Sequence, residues 1–322
     1  MTTPSLFDRI LRAHGAIRPQ VPVSPLERSR QLSALLGCDV MLKADHLQPT
    51  GSFKIRGATN KIHVLGEAAR TTGVITASTG NHGQAVARAG ALAGVPVTVY
   101  VAASTVRTKM EAIQGWGAKL VVVAGSPLDG ELEARSRAVQ ENRPYISPYN
   151  DLDVIAGQGT LGIELAEQAG ELDAVFISVG CGGLIGGAGS ALEHLRPGTR
   201  VVGVWPENSP CLLRSLEAGA ILNVPESPTL SDGTAGAVEP GSVTFPICQR
   251  VIDHTVTVTE AEIAAAMRNI AAAERWIVEG AAGVAFAGLV KLADQYRGCK
   301  VAVVLCGRNI ALDTFLNTVA AN

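Results

Sequence analysis

The sequence predicts an α/β protein in which mostly parallel sheets are covered by helices. Three observations carry this reading. Strand-like and helix-like segments alternate along most of the chain. Most of the strand-like runs are apolar at every position, as strands buried on both faces are. Glycine (35 residues) and small aliphatics abound while aromatics make up 4%, which suits turns pressed close to helices and ligands.

An N-terminal helical stretch comes first. Strands follow at 40–43, 73–77, 97–101, 120–123, 174–178, 200–204, 255–258 and 300–305. Helical patterns between them cover 82–93, 105–115, 127–141, 154–169, 184–195 and 281–293. Thr259 and Glu262 have the spacing of a capping box and open a helix that runs to about Ala273. This βαβα alternation is the pattern of parallel sheets with helical crossovers. The stretch at 220–250 is rich in Pro, Gly and Ser and reads as a loop bordering the active site.

A length of 322 residues allows a large core and two lobes. The net charge of −2 and the lack of a basic run argue against nucleic acid or an anionic membrane as partner. No stretch is long and apolar enough to span a bilayer. Met1-Thr2-Thr3-Pro4-Ser5 has no basic segment leading into an apolar core, so the expected location is the cytoplasm. The six cysteines, Cys38, Cys181, Cys211, Cys248, Cys299 and Cys306, include no C-x-x-C pair, and the histidines are scattered. Free thiols in a reducing compartment are expected, with no disulfide framework and no zinc site.

Four segments carry chemistry. In Pro49-Thr50-Gly51-Ser52-Phe53-Lys54-Ile55-Arg56-Gly57, Lys54 stands between a turn and an incipient helix, directly after an aromatic residue. Such a lysine is placed to hold an aldehyde as a Schiff base, the task of the lysine in pyridoxal phosphate enzymes. A surface lysine opening a helix is the plainer alternative for this segment alone. Second, Ser78-Thr79-Gly80-Asn81-His82 follows a strand and opens a helix, where backbone N–H groups and hydroxyls suit a carboxylate. Cap and turn residues are the alternative there.

Third, Gly180-Cys181-Gly182-Gly183-Leu184 also joins a strand to a helix, and successive glycines let N–H groups wrap a phosphate. A dinucleotide fingerprint competes, but the third glycine is out of place and Trp205 stands near where the ribose-binding acid belongs. Fourth, Leu305-Cys306-Gly307-Arg308-Asn309 follows the last apolar strand, at the end of a parallel sheet where ligands bind. A buried small residue at a strand end explains Cys306 equally well.

In this order, the four segments resemble the tryptophan-synthase-β-like (fold type II) pyridoxal phosphate enzymes, in the serine/threonine dehydratase and serine racemase branch. The resemblance runs through nearly the whole chain and includes Ile155-Ala156-Gly157-Gln158-Gly159-Thr160, Ser231-Asp232-Gly233-Thr234 and Glu279-Gly280-Ala281-Ala282-Gly283. It implies that Lys54 carries the cofactor and serves as the Cα base. Phe53 would pack on the ring, Asn81 would bond the ring hydroxyl, and Cys306 would meet the pyridine nitrogen. Gly180, Cys181, Gly182, Gly183 and Leu184 would bind the phosphate, and Glu279 would join the cofactor site. Ser78, Thr79, Gly80, Asn81 and His82 would bind the substrate carboxylate, with Thr79 counted among the catalytic residues. The resemblance also implies a small lobe at 52–145 between the parts 1–51 and 146–322 of a larger one, in a homodimer or homotetramer.

Two departures from the branch matter. Cys181 stands where glycine is common, so the turn must accept a side chain. Trp205 stands where cation-activated members carry an acid before Pro206, so no metal is expected. A neutral partner at the pyridine nitrogen favours β-elimination over transamination. The expected reaction is loss of water from a β-hydroxy amino acid: threonine, serine, or an analogue such as phenylserine, 3-hydroxyaspartate or a hydroxyectoine-derived amino acid. Racemisation, β-replacement and a non-catalytic binding role are the alternatives.

Overall fold

The computed structural model describes residues 4–320 except Thr79 and Val106. In chain order the first elements are α1 (Leu6–Ile17), β1 (Leu26–Arg28), α2 (Arg30–Leu36), β2 (Asp39–Lys43), α3 (Lys54–Thr72), β3 (Val74–Ala77) and α4 (Asn81–Ala93). Next come β4 (Val97–Ala102), α5 (Arg107–Gln114), β5 (Lys119–Val123), α6 (Pro127–Gln140), α7 (Leu152–Gln168), β6 (Ala174–Ser178) and α8 (Gly183–Leu195). The chain continues through β7 (Arg200–Pro206), α9 (Cys211–Ala218), α10 (Thr244–Val251), β8 (His254–Val258), α11 (Glu260–Glu274), α12 (Gly280–Lys291), β9 (Lys300–Val304) and α13 (Leu312–Ala320). The contacts divide the chain into two compact units, Met1–Pro22 with Phe53–Gln158, and Val23–Ser52 with Gly159–Asn322.

The first unit is built on a parallel sheet in the order β3-β4-β5. Alternation along the strands sends side chains to two faces. Val74, Val97, Val99 and Val101 pack with Ile55, Val86 and Ile113 from α3, α4 and α5. Ile75 and Tyr100 face the other way, against Ala134 and Ala138 of α6. Tyr145 bridges Ile75 in parallel, so the chain after α6 runs along the free side of β3. Ile17 and Val21 complete the first core, and Arg9 of α1 reaches Asp153 at 2.7 Å. Residues 4–22 therefore pack with the unit that carries Lys54.

The second unit holds six strands in the order β1-β2-β9-β6-β7-β8. Among the described strands of this sheet, only β1 pairs antiparallel. From β6 the chain proceeds outward through β7 to β8, while β9 and β2 lie on its other side. The strand order thus reverses between β6 and β9, and the loops leaving their carboxyl ends are where this fold places a ligand. Phe176, Ile177, Val202, Val303 and Val304 are completely buried.

Part of the stretch read as loop is helical. Within α10, Thr244, Cys248 and Val251 are buried. A Cβ on Gly189 would stand 2.7 Å from Val251 Cγ2, and one on Gly186 3.1 Å from Ile247 Cγ2. The helix docks on the glycines of α8, a tertiary reason for helicity that four apolar positions in eight residues do not announce. A buried ion pair also belongs to this unit. Lys43 Nζ donates to Glu164 Oε2 at 2.7 Å, to Gln168 Oε1 at 2.7 Å and to Ser24 O at 2.8 Å. Both charged side chains are fully buried.

Candidate active site

In the first unit, Lys54 is the first residue of α3 and is half-buried. Its Nζ donates to Pro148 O at 3.0 Å and lies 5.1 Å from the centre of the Phe53 ring. The helix start is held from behind. Gly57 N donates to Gln158 Oε1 at 3.2 Å, which satisfies one of the donors a helix N-terminus leaves open. A Cβ on Gly157 would stand 2.6 Å from Gly57 Cα, so α3 and α7 cross backbone to backbone. Here lies the reason for glycine in both Arg56-Gly57 and Gly157-Gln158.

The loop after β3 follows. Ser78 Oγ accepts from Gly80 N at 3.1 Å, and Gly80 is the N-cap of α4. Gly80 brings no side chain to cap α4, and a helix N-terminus is a place that suits an anion. Asn81 opens α4 half-buried. Thr79 lies outside the described residues. His82 is 2% exposed, and its Nε2 donates to Ile146 O at 3.1 Å, since a carbonyl only accepts. Burial, with the Lys54 charge second, drives its pKa down to about 3. The imidazole is neutral, with its proton on Nε2.

In the second unit, the loop after β6 leads into α8 with Gly182 in the left-handed region at φ +87°. Cys181 has no positive φ, so the turn accepts its side chain without strain, and its Sγ lies 3.5 Å from Ala237 O. A Cβ on Gly180 would stand 2.7 Å from Thr234 O. Gly180 thus lets the Ser231–Thr234 turn close against the loop. Gly183 and Leu184 form the first turn of α8, whose cap residue again offers no side-chain bond.

Cys306 follows β9, next to β6 in the sheet, and its Sγ lies 3.5 Å from Ser178 Oγ. Burial, and then the nearby Glu279 carboxylate, push the thiol up to about 12, so it is neutral at any working pH. Glu279 is 4% exposed. Its Oε2 accepts from Asn309 N at 2.9 Å, and Asn309 Nδ2 donates to Thr50 O at 2.8 Å. Arg308 N donates to Gly51 O at 2.9 Å. Glu279 therefore braces the 307–309 segment, which grips residues 50–51 just ahead of Lys54. Arg308 itself is exposed. The sequence reading missed Ile146, Pro148, Gln158 and Asn309 as site-building residues. Only Gln158 and Asn309 stood inside motifs already singled out.

The residues present fit pyridoxal phosphate. Ser52 Oγ and Thr50 Oγ1 are buried with no partner among the described residues, the mark of a polar site built for a ligand. The loop after β6 is a glycine cradle at an uncapped helix start, suited to a phosphate. No helix among the described residues is long and apolar enough to cross a membrane.

The family model described as pyridoxal-phosphate dependent enzyme matches residues 17–307. The chain is 38% identical over 305 residues to an L-threonine ammonia-lyase of Thermotoga maritima, covering 94% of this chain and 75% of that one. It is 34% identical over 320 residues to an L-threo-3-hydroxyaspartate ammonia-lyase of Saccharomyces cerevisiae, covering 99% and 98%. Among solved structures it resembles the processed form of threonine deaminase isoform 2 from Solanum lycopersicum, with a TM-score of 0.94 and 31% identity over 98% of this chain and 87% of that one.

Proposed function

Because the chain belongs to the pyridoxal-phosphate dependent enzymes, we infer that it is an ammonia-lyase, which removes water from a β-hydroxy amino acid and yields a 2-oxo acid and ammonia. The observation that carries this reading is the neutral Cys306 thiol at the switch point of the sheet, in a chain whose lysine Lys54 opens a helix beside a neutral histidine. L-threonine and L-threo-3-hydroxyaspartate are the substrates that the relatives' names support.

Lys54 would hold the cofactor covalently, with Phe53 against its ring and Asn81 at the ring hydroxyl. The amides of Gly180, Cys181, Gly182, Gly183 and Leu184 would hold the phosphate, and Cys306 would face the pyridine nitrogen. When bound, the cofactor supplies an electron sink for the carbanion at Cα. The loop of Ser78, Gly80, Asn81 and His82 would fix the substrate carboxylate on first-turn amides of α4. Lys54 Nζ, displaced by the substrate amine, would take the Cα proton. The proton taken from Cα and the β-hydroxyl would leave together as water, and addition of one water to the released enamine would give the 2-oxo acid and ammonia. A thiol that stays protonated adds no negative charge at the pyridine end. Such a partner would favour elimination over transamination.

The test is ammonia and 2-oxo acid release from threonine, serine, 3-hydroxyaspartate and phenylserine, in each stereoisomer, with and without EDTA. Release from at least one, unchanged by EDTA and lost in Lys54→Ala, is the expected result. Chiral analysis of recovered substrate with no ammonia formed would instead identify a racemase. We further propose a cytoplasmic location, a reading supported by six free cysteines, and a homodimeric or homotetrameric assembly. Sedimentation velocity decides the oligomer.

A further inference from the structure

We propose that His82 is a positioning residue for Lys54, acting through the backbone of Ile146-Ser147-Pro148. This rests on the reading of Lys54 as the residue that holds the cofactor. It assigns the His82 side chain a task separate from the substrate carboxylate.

Two carbonyls of one short segment receive the two side chains. Ile146 O accepts from His82 Nε2 at 3.1 Å, and Pro148 O accepts from Lys54 Nζ at 3.0 Å. The segment is tied along its length. Ile146 N donates to Ile75 O at 2.8 Å, which continues the bridge between Tyr145 and Ile75. Thr76 Oγ1 donates to the same Ile146 O at 2.8 Å. Ser147 Oγ accepts from Asn150 N at 3.0 Å. Thr76 and Ile146 are fully buried, and Ser147 is 5% exposed.

A carbonyl that takes two buried donors is held in direction as well as position. Removing one donor lets the peptide plane rotate, and Pro148 lies only two residues on. The ring of Pro148 fixes its own φ, so that torsion absorbs none of a rotation passed on from Ile146. The imidazole also has to be neutral. A second cation beside Lys54 would hinder the lysine amine from becoming charged when it takes a proton. Burial supplies that neutrality, and Nδ1 has no partner among the described residues.

The experiment compares His82→Gln, His82→Asn and Thr76→Val with the natural holoenzyme. Glutamine carries an N–H near the position of Nε2 and keeps the bond to Ile146 O, while asparagine is too short to reach it. Thr76→Val removes the other donor to the same carbonyl in a nearly isosteric way. The first readout is the rate of covalent attachment of pyridoxal phosphate to resolved enzyme, followed by absorbance. The second is the split between kcat and KM for the substrate found above.

Losing one buried hydrogen bond that sets geometry should slow attachment and lower kcat about tenfold in His82→Asn and Thr76→Val, with KM little changed. In His82→Gln the attachment rate, which involves no substrate carboxylate, should stay within about threefold of the natural enzyme. Equal impairment of the glutamine and asparagine variants, or natural attachment rates in both His82→Asn and Thr76→Val, would overturn the proposal. If His82→Asn fails to fold, Thr76→Val alone decides. Attachment needs no amino acid, so a wrong substrate assignment leaves this outcome readable. Failure of Lys54→Ala to abolish attachment would instead overturn the reading of Lys54 itself.

Discussion

Gly57 and Gly157 meet backbone to backbone: a Cβ on Gly157 would stand 2.6 Å from Gly57 Cα and 2.5 Å from Arg56 O. The crossing of α3 and α7 sets the helix whose first residue is Lys54. Gly157→Ala should therefore cost stability by overpacking, about 1–3 kcal/mol, and should weaken cofactor attachment as well. Gly15→Ala is the control. It lies in α1 with nothing within 4 Å of a new Cβ. It should stabilise by about 0.5–1 kcal/mol through helix propensity alone. Urea unfolding of the two variants tests the contrast, and equal effects would refute the close crossing.

Lys43 and Glu164 are both fully buried and 2.7 Å apart. Glu164→Leu leaves the lysine charge buried without its carboxylate and should cost about 3–5 kcal/mol. The double variant Lys43→Met, Glu164→Leu should recover most of that loss, because an apolar pair of similar volume carries no desolvation penalty. Thermal or urea unfolding of single and double variants reads the difference. A double variant no better than Glu164→Leu would show that the surrounding bonds to Ser24 and Gln168 matter more than the charge.

The thiols should separate by reactivity. Cys306 and Cys248 are both pushed up to about 12, chiefly by burial, and are closed to solvent. Cys181 is partly exposed in the loop after β6. Iodoacetamide at pH 8 should alkylate Cys181 and leave Cys306 and Cys248 unmodified, because only the accessible thiolate reacts. Pyridoxal phosphate should protect Cys181 if its loop holds the phosphate. Peptide mass spectrometry gives the answer site by site, and labelling of Cys181 at the same rate with and without cofactor would count against the phosphate assignment.

His46 supplies a test in pH. It is 1% exposed, and its ring lies 4.7 Å from that of Trp276. Burial first, and the Arg308 charge second, lower its pKa from 6.5 to about 4, while Asp45 opposes the shift. The folded form therefore refuses a proton that the unfolded chain accepts. Stability from this group is complete above pH 6.5 and is lost as the pH falls toward 4, by up to about 1.4 kcal/mol per pH unit. Between pH 6.5 and 5 the urea stability of His46→Phe should fall less steeply than that of the natural chain. Parallel slopes would mean that His46 is protonated in the folded protein.

Much of the fold was legible because its signals are local. Apolar runs such as 174–178 and 300–305 are strands buried on both faces, and they emerge as β6 and β9. The Thr259 and Glu262 spacing is an N-cap that both residues complete, with Glu262 Oε2 accepting from Thr259 N at 2.7 Å. Leu26–Arg28 escaped notice, since three residues at an antiparallel edge carry no periodicity. The helix at Thr244–Val251 escaped because its warrant is the glycine face of α8, far away in sequence.

The same division runs through the site. By itself the sequence determined the family and proposed the residues that would bear chemistry, because a lysine, a glycine loop and a cysteine after an apolar strand are chemical statements that need no coordinates. It also determined that the loop after residue 178 opens a helix. Only the tertiary structure decided what surrounds Lys54: the carbonyl of Pro148 at its Nζ and the amide of Gln158 behind the start of its helix. It alone turned Glu279 toward the backbone of Asn309 and buried Cys306 beside it. Backbone carbonyls carry no sequence signature, and a side chain's charge and direction follow from neighbours that the chain brings close only on folding.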